Sequence, residues 1–171
     1  MTQPPKPPIS YDKFLKMKSK PDTPKVGVGV FLERHDKILM MLRSGSHRAD
    51  TWALPGGHME IGESALSTCR RETMEELNVF IDGVSKFGFA NTIFEEEGLH
   101  YITLYYRAIW DATQEPKIME PDKIQKIKWV RPDKHPVPVF SINASDMILQ
   151  LGETHRQELV QLLDEVYWER G

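Results

Sequence analysis

The feature that most constrains this chain is the spacing of charged residues between positions 57 and 79. Gly57 is followed after five residues by Glu63. Seven more residues lead to Arg71 and Glu72, and then Glu75 and Glu76. If residues 64–77 form a helix, Glu72 and Glu76 stand i and i+4 on one face, with Glu75 on the flank. A stripe of Leu66, Thr73 and Leu77 lies about 100–140° round from Glu72, so the carboxylates are expected to project away from the packing face. Like charges at this spacing cost a few tenths of a kcal/mol in an isolated helix, so three glutamates in five positions call for a counter-charge. A hard divalent cation supplies one. Oxygen ligands at about 2.0–2.1 Å suit Mg²⁺, which keeps water and phosphate oxygens in its shell. Two such ions can clamp the attacking and leaving oxygens of a phosphoryl transfer. The Pro55-Gly56-Gly57 turn lets backbone approach closely, and Arg71 can pair with Glu63. A glutamate-rich helix alone is usually a solvated face. The full spacing is far rarer: six fixed residues at about 6% usage each give about 10⁻⁷ per start position by chance.

The rest of the chain reads as one domain around this stretch. At 171 residues and 40% hydrophobic it has enough material for a single core. Residues 1–24, with six prolines, are expected to be a tail, and residues 25–171 one domain. Alternation predicts a strand at 26–32 and the apolar run Ile38 to Leu42 a second at 37–43; a short extended piece is expected at 52–54, and strands at 86–94, 100–110 and 124–130. Gly27 and Gly29 leave room on the first strand for a close approach. The 86–94 and 100–110 strands form a hairpin with the acidic tip Glu95-Glu96-Glu97. Two helices are expected after them. The first, about 144–151, stops at Gly152; the second opens at Thr154 and carries Leu159, Leu162, Leu163 and Val166. The predicted class is α/β (α+β): a mixed sheet with helices on both faces.

The net charge of -3 gives no bulk support for binding a nucleic-acid polymer or an anionic membrane. The single cysteine, Cys69, excludes an intrachain disulfide and points to a reducing, cytoplasmic setting. No apolar run approaches the roughly 20 residues of a spanning helix, and the N-terminus lacks a secretory signal.

The motif resembles the Nudix box, Gly-x5-Glu-x7-Arg-Glu-U-x-Glu-Glu-x-Gly-U, where U is aliphatic. Gly57, Glu63, Arg71, Glu72, Glu75, Glu76 and Val79 match. Thr73 replaces an aliphatic residue, and Asn78 replaces glycine at the helix end, where left-handed backbone is expected and Asn is the next best choice. The runs 52–58 and 100–103 extend the likeness toward family members that hydrolyse nucleoside triphosphates, thiopurine nucleotides among them.

The resemblance implies a Nudix-type α/β/α sandwich, often a homodimer. It implies Mg²⁺, with Mn²⁺ as substitute, held by Glu72, Glu76, Glu75 and the Gly57 carbonyl. Glu63 would orient the ligands. The nucleotide would be cut to a monophosphate and pyrophosphate, with a box glutamate ahead of the hairpin-tip glutamates as general base.

Arg43, His58, Thr103, Gly56 and Gly57 are the candidate substrate contacts, with Phe140 and Ser141 as further lining for a base. For each the ordinary alternative is a surface, structural or core-edge role. Cys69 reads as a small packing residue, and Trp110 and Trp129 as core. The family's local marks for ADP-ribose, dinucleoside polyphosphate and coenzyme A substrates are missing at the places where they would fall. From another class, the fold could serve as a silent binding module, but such members usually lose box carboxylates and this chain keeps all of them.

Overall fold

The computed structural model describes residues 23–45, 48–110 and 115–168, with no side-chain description for Ile142 and 162–168. The tail expected before residue 23 and the contacts of Leu162, Leu163 and Val166 lie outside the described residues. Strands β1 (Lys25–Arg34), β2 (Lys37–Arg43) and β3 (Trp52–Ala53) precede helix α1 (Ala65–Leu77). Strands β4 (Ser85–Phe94), β5 (Leu99–Ile109) and β6 (Ile124–Val130) follow, and helix α2 (Ile142–Trp168) ends the described chain.

The strands form a six-stranded mixed sheet in the order β3-β2-β1-β5-β4, with β6 on β2. β1 and β5 run parallel, and the other pairs are antiparallel. β1 is buried almost end to end, as expected of a strand covered on both faces. Its alternate residues go to two separate cores. Val28, Val30 and Leu32 join Leu39 and Met41 against Cys69 and Leu77 of α1. Phe31 joins Ile38 and Met40 against Met147, Ile148 and Leu151 of α2. The class is therefore the expected α/β/α sandwich.

β1 and β2 pair only at Glu33–Ile38 and Arg34–Lys37. Beyond that point the glycine turn takes β2's place alongside β1. Val30 N–H donates to the Pro55 carbonyl and Val28 N–H to the Gly57 carbonyl, each at 2.8 Å, and Met59 N–H donates back to Val26 at 2.9 Å. The room left by Gly27 is thus filled by the chain itself: a Cβ there would lie 2.8 Å from the Gly57 carbonyl oxygen.

α1 begins at the cap residue Ser64, whose side chain accepts from the Ser67 N–H. It ends at Asn78, in left-handed geometry with φ 55° and ψ 39°, its N–H donating to the Met74 carbonyl. The departure from glycine is thereby accommodated. Asn78→Ala is expected to cost about 1 kcal/mol in thermal melting and Asn78→Gly to cost nothing. An alanine variant melting with wild type would refute the reading of this cap.

Three expectations need correction. First, α2 is one continuous helix, not two: it runs through Gly152. That glycine packs against the turn at Pro132–Lys134, where a Cβ would come within 3.3 Å of the Pro132 side chain. Thr154, expected as an N-cap, donates instead to the Gln150 carbonyl one turn back. Second, Leu66 is only half-buried, and the packing face of α1 is Thr68, Cys69, Thr73, Glu76 and Leu77. Third, Trp110 and Trp129 pack at the edge of the α1 core, half-buried, with the Arg34 guanidinium 4.3 Å over Trp129.

Candidate active site

A cleft of about 490 Å³ opens where β1 and β2 part. One end is lined by carboxylates and the glycine turn, the other by aromatic rings of β4, β5 and the segment before α2. The carboxylate end is organised by Arg71. Its Nε and Nη2 grip both oxygens of Glu63 at 2.8 and 3.0 Å. Its Nη1 donates to Glu72 at 2.9 Å and Glu75 at 3.1 Å, and Nη2 also donates to the His58 carbonyl at 3.0 Å. One guanidinium therefore ties the loop before α1 to three of the motif glutamates. Glu63 is held further by the Glu60 N–H and the Thr68 hydroxyl, and the Arg71 hydrogen bonds, helped by these two donors, bring its pKa down to about 2.

Glu76 differs from the sequence expectation. It was expected on an open face with Glu72, yet it is 7% exposed. The reason is helical geometry: Glu76 follows Cys69 by seven residues, about 20° away round the axis, and Cys69 is fully buried. Its carboxylate accepts from the Gly56 N–H at 2.9 Å. Burial pushes its pKa up to about 8, and the charges of Glu72 and Glu120 add to the effect. Burial also raises Glu72. Gly57 lies directly against Glu72, since a Cβ there would stand 2.3 Å from the carboxylate.

Among the described residues no three Asp, Glu, His or Cys side chains converge into a closed cation cage, because Arg71 lies between Glu72 and Glu75. The donors nevertheless suit a hard cation. They are carboxylate oxygens beside a backbone carbonyl, and burial together with neighbouring carboxylates raises the pKa of two of the carboxyls. The Gly57 carbonyl gives one lone pair to Val28 and keeps a second.

Arg43, Gly56, Gly57, His58 and Thr103 all line the cleft, as do Phe140 and Ser141. Arg43 is held 4.7 Å over the Phe140 ring; burial lowers its pKa and Glu76 opposes that shift. His58 Nε2 lies 3.2 Å from the Tyr101 hydroxyl. Tyr101, Thr103 and Tyr105 alternate along β5 and share the cleft face. Ser141 also caps α2, accepting from the Ala144 N–H at 3.0 Å. Of the hairpin-tip glutamates none lines the cleft, and Glu97 pairs with Arg48 instead.

Sequence reasoning missed Glu120 and Lys123. Both line the cleft and pair at 2.7 Å. The segment before them is pinned to the end of α1, where Lys117 and Met119 N–H groups donate to the Leu77 and Glu76 carbonyls at 2.9 Å. They lie outside any strand or helix, over forty positions beyond the motif, so no local periodicity marks them.

The NUDIX domain family profile matches residues 23–151. The chain is 27% identical over 132 residues to Nudix hydrolase 3 of Caenorhabditis elegans, covering 75% of this chain and 50% of that protein. It is 31% identical over 83 residues to the 8-oxo-dGDP phosphatase NUDT18 of Mus musculus, covering 48% of this chain and 24% of that one. It thus spans half or less of the curated relatives it matches. Among solved structures, the MutT NUDIX hydrolase from Burkholderia pseudomallei superposes with a TM-score of 0.70 at 27% identity, over 75% of this chain and 98% of that one. The NUDIX domain of Shewanella oneidensis NrtR, solved with ADP ribose, shares the fold with a TM-score of 0.61 at 22% identity, over 88% and 99% of the two chains. Sheet, helices and motif together define a Nudix-fold domain. The chain belongs to the Nudix family. No helix among the described residues is long and apolar enough to cross a membrane.

Proposed function

We propose that this chain is a Mg²⁺-dependent hydrolase of nucleoside triphosphates, ordinary or base-modified, releasing the nucleoside monophosphate and pyrophosphate. The observation that carries the reading is the two-ended cleft: one cavity joins a carboxylate end fit for a cation to an aromatic end fit for a base. Glu72, Glu76 and Glu75, with the Gly57 carbonyl, would hold the ion; Mn²⁺ has the same ligand preferences. When bound, a divalent ion neutralises phosphate charge and makes water more acidic.

The chain's own groups do the rest. Arg71 and Glu63 fix the directions of the motif carboxylates. The Gly56 N–H anchors Glu76. Arg43 and Lys123 bring positive charge to the cleft for the polyphosphate, where positioning and charge stabilisation carry most of the catalysis. Glu75, half-exposed at 52%, has the water access that a general base needs. His58, Thr103 and Phe140 face the nucleoside.

A second reading has its own support. The name of the mouse relative gives it an oxidised nucleoside diphosphate as substrate. A diphosphate would yield orthophosphate. A panel of nucleoside tri- and diphosphates, plain and 8-oxidised, with Mg²⁺ and separate pyrophosphate and orthophosphate detection, decides between them. Pyrophosphate from triphosphates is the expected result. Orthophosphate from diphosphates alone would favour the second reading, and background release from every compound would overturn both.

A further inference from the structure

We propose that Arg48 is a positioning residue for the nucleoside end of the cleft, an inference that rests on the nucleotide reading above. Three segments far apart in sequence meet there: the loop after β2, the tip of the β4–β5 hairpin and the stretch leading into α2. One guanidinium joins them. Arg48 Nε donates to Glu97 at 3.3 Å, and Nη1 donates to the Phe140 carbonyl at 2.7 Å. Its charged carbon lies 4.6 Å from the centre of the Phe94 ring. Phe94 in turn meets Phe140 edge-on at 5.4 Å, and Phe140 lies 4.7 Å beneath the Arg43 guanidinium.

The order along this wall is therefore Arg48, Phe94, Phe140, Arg43. The last three line the cleft and Arg48 does not, so it stands behind the wall and acts through it. Its backbone is held to the task. Arg48 has φ 52°, in the left-handed region that a long side chain rarely adopts, and the Thr51 hydroxyl donates to its carbonyl at 2.7 Å.

The chemistry of the wall fits a flat heteroaromatic ring. Bases stack on aromatic side chains, and a cation over a ring face fixes the ring's place. Backbone bonds between Trp52 and both Pro138 and Phe140 already hold the stretch before α2 to the sheet, and the Arg48 fork adds the tie between that stretch, the loop after β2 and the hairpin tip. Its loss would blur the base slot without touching the carboxylates. The signature is a change in KM, with kcat spared.

The test compares wild type, Arg48→Ala and Arg48→Lys in steady-state kinetics on the nucleotides that wild type cleaves. Binding of the nucleoside monophosphates in the presence of a chelator is measured alongside. Arg48→Ala is expected to raise KM about tenfold, with kcat falling less than twofold, and to weaken monophosphate binding by a similar factor. Arg48→Lys should fall between, because lysine keeps a charge over Phe94 and lacks the fork for both acceptors. If Arg48→Ala does not fold, Glu97→Gln carries the test with an expected rise of about threefold in KM. Unchanged KM in these variants, or kcat falling as far as kcat/KM, overturns the role of Arg48 alone. A wild type that neither cleaves nor binds any nucleotide overturns the nucleotide reading, and this role with it.

Discussion

Glu76→Gln is expected to abolish turnover, by about 10³-fold in kcat, and at the same time to make the metal-free protein more stable at pH 8. The two effects have one cause. Glu76 is buried beside Glu72 and Glu120, its carboxylate accepts one backbone N–H, and its pKa is pushed up to about 8 from 4.5. Glutamine keeps the acceptor for Gly56 and removes the charge. The site loses a proposed cation ligand, and the fold loses a buried charge whose neighbours repel it.

The sign of the pH dependence follows from that raised pKa. Below about pH 4.5 folded and unfolded chains both hold the Glu76 proton, and its contribution to stability is fully present. As pH rises toward about 8 the unfolded chain releases the proton while the folded chain keeps it, so stability falls across that window. Chelator-treated wild type should therefore melt at lower temperature at pH 8 than at pH 6, beyond the loss shown by the glutamine variant. At pH 8 the variant should melt about 4–8 °C above wild type. Adding Mg²⁺ should close the gap by stabilising wild type alone, since a ligand that binds only the folded state raises its stability. A variant that melts below metal-free wild type at pH 8 would sink the account of Glu76 as a buried, uncompensated carboxyl.

The same residue shows where sequence reading reaches its limit. The helix 65–77, its glycine-like end at Asn78 and the grouping of Glu72 with Glu76 were all legible, because they depend on neighbours within one or two turns. Burial of Glu76 depends on which side of the helix meets the sheet. Leu66 is a stronger apolar signal than Cys69, so it drew the stripe toward itself and away from Glu76. Gly152 misled for a related reason. A missing Cβ serves equally for a left-handed helix end and for close packing, and only the Pro132 contact tells them apart. The first two strands were clear because one alternates valine with glycine and the other is apolar throughout, as a strand feeding two cores must be. Glu120 and Lys123 were invisible, since loops brought together by the fold leave no periodic trace.

Gly56 and Gly57 provide the second large effect, and their contrast separates fold from site. Gly56 has φ 146°, and a Cβ on it would stand 2.1 Å from the Val28 carbonyl oxygen. That oxygen belongs to the backbone of a buried strand and cannot step aside. Gly56→Ala must push the turn off β1, straining the bonds from Val28 and Val30 and the one N–H that Glu76 accepts. The expected cost is about 3–5 kcal/mol, from backbone strain and the weakened hydrogen bonds, seen as a melting point lowered by about 6–20 °C. Gly57→Ala meets a different obstacle. Its Cβ would fall 2.3 Å from the Glu72 carboxylate, the far end of a flexible side chain that can swing away. The fold should survive with a loss of about 1 kcal/mol or less, while displacing a proposed cation ligand cuts turnover about 100-fold. Melting curves and nucleotide turnover on both variants check the pair. Full activity in Gly57→Ala would remove Glu72 from the proposed ligand set. Wild-type melting in Gly56→Ala would mean that the glycine turn does not lie along β1, and the geometry of the whole carboxylate end would fall with it.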